Sequence, residues 1–82
     1  MLVDVVDAVP HDGTWLDLRF GDQRTGSVDV GRLVQFEGVF APLADPVYFA
    51  RVRVDPELGT VVWPNGADLD PQVLYAAAAS RS

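Results

Sequence analysis

The chain has 82 residues, 49% of them apolar, no cysteine, and a formal net charge of −6 from 12 acidic residues against 6 arginines and no lysine. This length fits one domain with a small core, and so high an apolar fraction excludes a disordered chain. Without thiols there is no disulfide framework, thiolate zinc site or cysteine nucleophile, and the acidic balance disfavours nucleic acid and anionic membrane as partners.

No apolar run reaches the roughly 18 residues of a membrane span, and the N-terminus lacks a basic region followed by a hydrophobic one, so a cytoplasmic location is expected. Residues 2–8 are rich in valine and read as a first strand, broken by Val9-Pro10-His11-Asp12-Gly13 with its Asp-Gly hairpin signal. Residues 14–20 alternate: Leu16, Leu18 and Phe20 share one face, and Trp15, Asp17 and Arg19 share the other. Gly21-Asp22-Gln23 turns the chain into a third strand over 24–30, with Val28 and Val30 on one face and Ser27 and Asp29 on the other. Short turns between successive strands imply an antiparallel meander, since parallel pairs need long crossovers.

Residues 31–43 carry apolar side chains without a clear period, and Gly38 and Pro42 oppose a long helix. One helical turn over 31–35 followed by a loop is expected there. Asp45-Pro46 then starts a short helix, with Asp45 as N-cap, proline at the first helical position and Phe49 placed to pack back on Leu43 or Ala44. Residues 51–54 alternate as a fourth strand, Asp55-Pro56-Glu57-Leu58-Gly59 turns, and residues 60–63 form a fifth. The same start signal returns at Asp70-Pro71, with Leu69 and Leu74 in the staple positions, and the helix runs through Ala79 into a frayed tail at 80–82. The predicted fold is α+β: a small antiparallel sheet of about five strands in the order β-β-β-α-β-β-α, with two short helices packed on it.

Residues with chemical potential are few. His11 is the single histidine, predicted to sit solvated in a turn; as a general base it needs an orienting partner, and as a metal ligand it has only Asp7 and Asp12 near it in sequence. Asp68 and Asp70 form a carboxylate pair, explained more simply if Asp70 caps the last helix and Asp68 braces the turn before it. Ser27 has no recognisable base beside it, and no glycine-rich phosphate loop occurs. Trp15, Tyr48 and Tyr75, with Arg24, Arg51 and Arg53, are the residue types that anchor protein interfaces, and Trp15, Arg51, Arg53 and Tyr75 are taken as the candidate partner surface.

The stretch Val61-Val62-Trp63-Pro64-Asn65-Gly66-Ala67-Asp68-Leu69-Asp70-Pro71 joins strand, turn and capped helix, and Trp63 is large enough to anchor a small core. With Leu74-Tyr75 it resembles the end signature of a small bacterial family, domain of unknown function 2442, whose structural residues here are Trp63, Pro64, Asn65, Gly66, Asp68 and Asp70. Leu18 to Gln23, Val28-Asp29-Val30, Phe40 to Leu43, Asp45, Phe49 and Val52-Arg53-Val54 follow in matching order. One departure is Gln23, where the family commonly carries glycine after the acidic turn residue.

No catalytic residue is established for the family, so the resemblance carries none across, and no cofactor is expected. Members are similar to the N-terminal domain of proteins that sometimes carry a helix-turn-helix, which is expected to be absent here, and stand-alone members are often encoded beside another small protein in a toxin–antitoxin-like arrangement. The expected function is therefore a non-enzymatic protein-interaction module, the antitoxin-like member of such a pair, meeting a basic protein encoded nearby and touching neither nucleic acid nor membrane. A regulatory or dimerisation domain related to the N-terminal half of helix-turn-helix proteins, forming a homo-oligomer, is the alternative. An uncharacterised enzyme or metal-binding protein comes third.

Overall fold

A computed structural model describes residues 3–79. Strands β1 (Val5–His11), β2 (Trp15–Phe20) and β3 (Thr25–Asp29) form an antiparallel sheet in the order β1-β2-β3. A 3-10 turn at Val30–Arg32, a 3-10 segment at Gly38–Ala44 and the single-turn helix α1 (Pro46–Phe49) follow. Strands β4 (Arg53–Asp55) and β5 (Thr60–Val62) make a second, separate hairpin, and helix α2 (Pro71–Ala79) closes the fold. The architecture is α+β, with the five strands divided between two sheets. Their junction is local: the Val5 N–H donates to the Gly59 carbonyl at 2.9 Å, and Gly59 has φ +70 in space that a Cβ could not enter without striking Asp4.

The alternation in β2 is realised: Leu16, Leu18 and Phe20 are buried while Asp17 and Arg19 face outward. Their inner face meets Val28, Val30, Leu43, Phe49, Trp63 and Leu74 in one core cluster. Phe20 and Tyr75 meet edge to face at 4.9 Å, and Phe49 and Trp63 lie 5.5 Å apart at a tilt. The buried Trp63 Nε1–H donates to the Phe49 carbonyl at 2.9 Å, so the largest core side chain leaves no orphan donor. Helix α2 reaches β3 through Gly26, where a Cβ would come within 2.7 Å of the Ala78 Cβ and 3.3 Å of its backbone.

Several boundaries differ from the sequence reading. Strand β1 does not stop at Ala8 but runs through Pro10, paired with Leu16, to His11. Proline is tolerated because β1 lies at the edge of its sheet, with a neighbour on one side only. A register shift between Val5 and Asp7 resets the alternation before it does so. Leu2 and the tail at 80–82 lie outside the described residues. Strand β4 begins at Arg53 because Arg51 still closes α1, its N–H donating to the Tyr48 carbonyl at 2.9 Å. Residues 38–44, expected as loop, coil instead as a 3-10 segment containing Pro42 and the buried Leu43; its tighter winding tolerates what a long α-helix would not. The helical turn expected over 31–35 is the 3-10 turn Val30–Arg32, with Asp29 accepting the Gly31 N–H at 3.0 Å as its cap.

Candidate functional site

Two exposed constellations hold the polar residues of interest. The first is the outer face of the three-stranded sheet. Antiparallel register sets it out in three rows: Asp7, Arg19 and Thr25; Val9, Asp17 and Ser27; His11, Trp15 and Asp29. Within it His11 places Nδ1 at 2.8 Å from Asp12 Oδ2 and Nε2 at 2.8 Å from Asp17 Oδ1. Asp17 Oδ1 also accepts the Ser27 hydroxyl at 2.5 Å, and the Trp15 ring stacks on the imidazole with centroids 6.2 Å apart.

With a carboxylate at each nitrogen the ring is served best as imidazolium, donating twice. The hydrogen bond to Asp12 is the larger influence raising the His11 pKa, followed by that to Asp17. The Ser27 hydroxyl in turn holds the Asp17 carboxyl below its ordinary value, with His11 adding to it. His11 is thus a paired strand-end residue and not a free turn residue. Its second carboxylate is Asp17, brought over by hairpin register, while Asp7 belongs to another row. Chemically the order matters. A serine nucleophile needs its base in contact with the hydroxyl, yet here the carboxylate stands between Ser27 and the imidazole. Among the described residues no group of three or more His, Asp or Glu is placed to hold a metal ion.

The second constellation is the signature hairpin. The Gly66 N–H donates to the Trp63 carbonyl at 2.9 Å, and the Trp63 N–H to the Ala67 carbonyl at 2.9 Å. These bonds define a three-residue loop, Pro64-Asn65-Gly66, closed by a left-handed residue: Gly66 at φ +89. Asn65 uses both polar ends of its side chain and its backbone N–H. Its Oδ1 accepts the Ala67 N–H at 3.1 Å, its Nδ2 donates to the Val39 carbonyl at 2.8 Å, and its backbone N–H donates to the Tyr48 hydroxyl at 2.9 Å. One residue therefore ties the loop to the 3-10 segment through its side chain and to α1 through its backbone N–H. The brace assigned to Asp68 is supplied by Asn65; Asp68 is exposed and contributes a backbone bridge to Val62. An amide can donate and accept at once, which a carboxylate cannot. Asp70 accepts the Gln72 N–H at 2.8 Å at the start of α2, the geometry of an N-cap.

The four candidate partner residues are not gathered into one patch. Trp15 and Phe20 occupy opposite ends of β2, about 17 Å apart at an ordinary strand rise, and Tyr75 packs at the Phe20 end. The Tyr75 hydroxyl donates to Asp22 at 2.6 Å. Arg51 lies over the Tyr48 ring, 5.9 Å from its centroid, and Arg53 is exposed on β4 opposite Val62. The sequence reading missed Asn65 as a tether, Val39 as its partner, and the Ser27–Asp17–His11 chain. The last was within reach, because Asp17 and Ser27 already shared the outer face; the hairpin register was the missing step.

Fold and surface define a small α+β domain whose most distinctive residues build a rigid hairpin. A family model described as "Protein of unknown function (DUF2442)" matches residues 5–80, and the chain belongs to that family. Comparison with curated proteins and with solved structures gives no match. No helix among the described residues is long and apolar enough to cross a membrane.

Proposed function

We propose that the chain is a non-enzymatic protein-interaction module of the bacterial cytoplasm, the antitoxin-like member of a two-gene pair. The observation that carries this reading is the exposed rim of the signature hairpin. Val47 on α1 is 78% exposed and Val39 on the 3-10 segment 47%, on the two elements that Asn65 ties together. Next to Val47 in sequence, Tyr48 lies under the Arg51 guanidinium, and both are residue types enriched at binding hot spots. A rigid platform presenting valines, an aromatic ring and an arginine suits docking, because little side-chain freedom remains to be lost. The net charge of −6 favours a basic partner and speeds encounter with it more than it adds affinity.

The test is co-expression with the product of the adjacent open reading frame, followed by affinity capture at low salt and a growth assay. Co-purification and rescue of growth are expected, with both weakened by Val47→Asp or Arg51→Glu and unchanged by Ser27→Ala. Failure to co-purify together with no rescue overturns the reading.

A further inference from the structure

We propose that Asn65-Gly66 is a site of spontaneous deamidation that the folded hairpin holds shut, so that its modification reports opening of this loop and, once made, keeps the loop from closing. The reaction is intramolecular. The Gly66 backbone nitrogen, having given up its proton to solvent base, attacks Asn65 Cγ. A Cγ–N bond forms, the Cγ–Nδ2 bond breaks, and Nδ2 leaves as ammonia after taking a proton. Water then opens the resulting five-membered imide at either carbonyl, leaving aspartate or isoaspartate at position 65. Glycine is the residue that least obstructs the attack, having no Cβ, and a loop tip is where solvent base reaches.

Three features of the fold oppose each requirement of that step. The attacking nitrogen is occupied, because the Gly66 N–H donates to the Trp63 carbonyl at 2.9 Å and is not free to lose its proton. The side-chain amide cannot rotate toward that nitrogen, being held at Oδ1 by the Ala67 N–H and at Nδ2 by the Val39 carbonyl. The Asn65 backbone is fixed as well, its N–H donating to the Tyr48 hydroxyl. Removal of this protection is therefore a local opening of the loop.

The product does not fit where the amide did. A carboxylate at position 65 has no hydrogen to give the Val39 carbonyl and instead faces that oxygen with negative charge. The tether to the 3-10 segment Gly38–Ala44 is lost, in a chain already carrying −6. Isoaspartate adds a backbone carbon to a three-residue loop whose closing bonds leave no slack. This inference rests on the hairpin alone and stands whether or not a protein partner exists.

The test incubates the full chain at mildly alkaline pH in buffer and in urea, following position 65 by peptide mass spectrometry and isoaspartate-specific methylation. Conversion is expected in urea and about tenfold or more slower in buffer, the protection that two ordinary hydrogen bonds provide. Tyr48→Phe should speed conversion in buffer and leave the rate in urea unchanged. Tyr75→Phe, which loosens a different loop, should leave both rates unchanged and so controls for general destabilisation. Asn65→Asp, mimicking one product, should fold with a lowered melting temperature and be cleaved faster by protease within residues 38–44. Equal rates in buffer and urea, an unmodified site in both, or an Asn65→Asp chain as stable and protease-resistant as the parent each overturn the proposal.

Discussion

Two hairpin loops in this chain share one backbone design and differ in chemistry. In Trp63-Pro64-Asn65-Gly66-Ala67 and in Phe20-Gly21-Asp22-Gln23-Arg24, the fourth residue donates to the first carbonyl and the first N–H donates to the fifth carbonyl. In each, the third side chain accepts from the fifth N–H, Asn65 from Ala67 and Asp22 from Arg24 at 3.0 Å. In each, that same side chain reaches a distant element, the Val39 carbonyl in one case and the Tyr75 hydroxyl in the other. The differences lie at two positions. Gly66 takes its φ of +89 freely, whereas Gln23 takes φ +79 against its own Cβ. An amide can tether to a carbonyl where a carboxylate must find a hydroxyl. Left-handed backbone is thus a demand of the loop, and the chain meets it once with the fitting residue and once without.

The largest expected effect tests whether the signature loop depends on the core beneath it. Trp63→Ala removes a buried ring and its bond to the Phe49 carbonyl, at about 3–5 kcal/mol. A chain of this length has only about 4–12 kcal/mol in total, so thermal melting should show a largely unfolded protein. Exchanging the left-handed residues probes the comparison directly. Gly66→Gln should destabilise by about 1–2 kcal/mol, the strain of a left-handed non-glycine residue. Asn65→Ala, which leaves the backbone alone, should cost about 1 kcal/mol, read in urea titrations as a lower midpoint with an unchanged slope. Gln23→Gly should do the opposite and stabilise by about 0.5–1 kcal/mol, relief of strain outweighing the added freedom of the unfolded chain. If Gln23→Gly destabilises instead, the two loops are not equivalent and the comparison fails.

Much of this was legible in the sequence because it rests on short-range rules. Alternation over 14–20 gave the buried face of β2, and the Asp45-Pro46 and Asp70-Pro71 pairs gave both helix starts, with Asp45 accepting the Val47 N–H at 2.9 Å as an N-cap does. The departure at Gln23 from the family's glycine stood in the sequence without a conformational reading, and its φ of +79 supplies one. What stayed hidden depends on contacts distant in sequence. Nothing local says that Asn65 will find a carbonyl 26 residues earlier, or that Tyr75 will find a carboxylate 53 residues back. The division into two sheets was equally illegible, because it depends on how segments distant in sequence meet, as Val5 meets Gly59 through a backbone hydrogen bond. In residues 31–43 the obstacle was one of kind: 3-10 winding repeats about every three residues and in short pieces, too briefly to leave a period in the apolar pattern.

The smallest expected effect separates the two tethers by pH. The Tyr75 hydroxyl is the main cause holding the Asp22 carboxyl below its ordinary value, with the Arg24 N–H next, and the same bond raises the Tyr75 hydroxyl above its own. For a carboxyl lowered on folding, the contribution is complete above the unfolded value of about 4 and is lost as pH falls through the folded one. For a phenol raised on folding, it is complete below about pH 10 and is lost as pH climbs through the folded value. The Asp22–Tyr75 tether should therefore hold across the neutral range and release at both extremes, whereas the Asn65–Val39 tether contains no titrating group and should ignore pH. Amide exchange and chemical shifts at Gln23 and Gly66, followed by NMR over a pH series, discriminate the two. Movement at Gln23 near the acid end with Gly66 unmoved is the expected pattern. Parallel movement at both loops would mean that they open together, and that the amide and the carboxylate have been credited with an independence they lack.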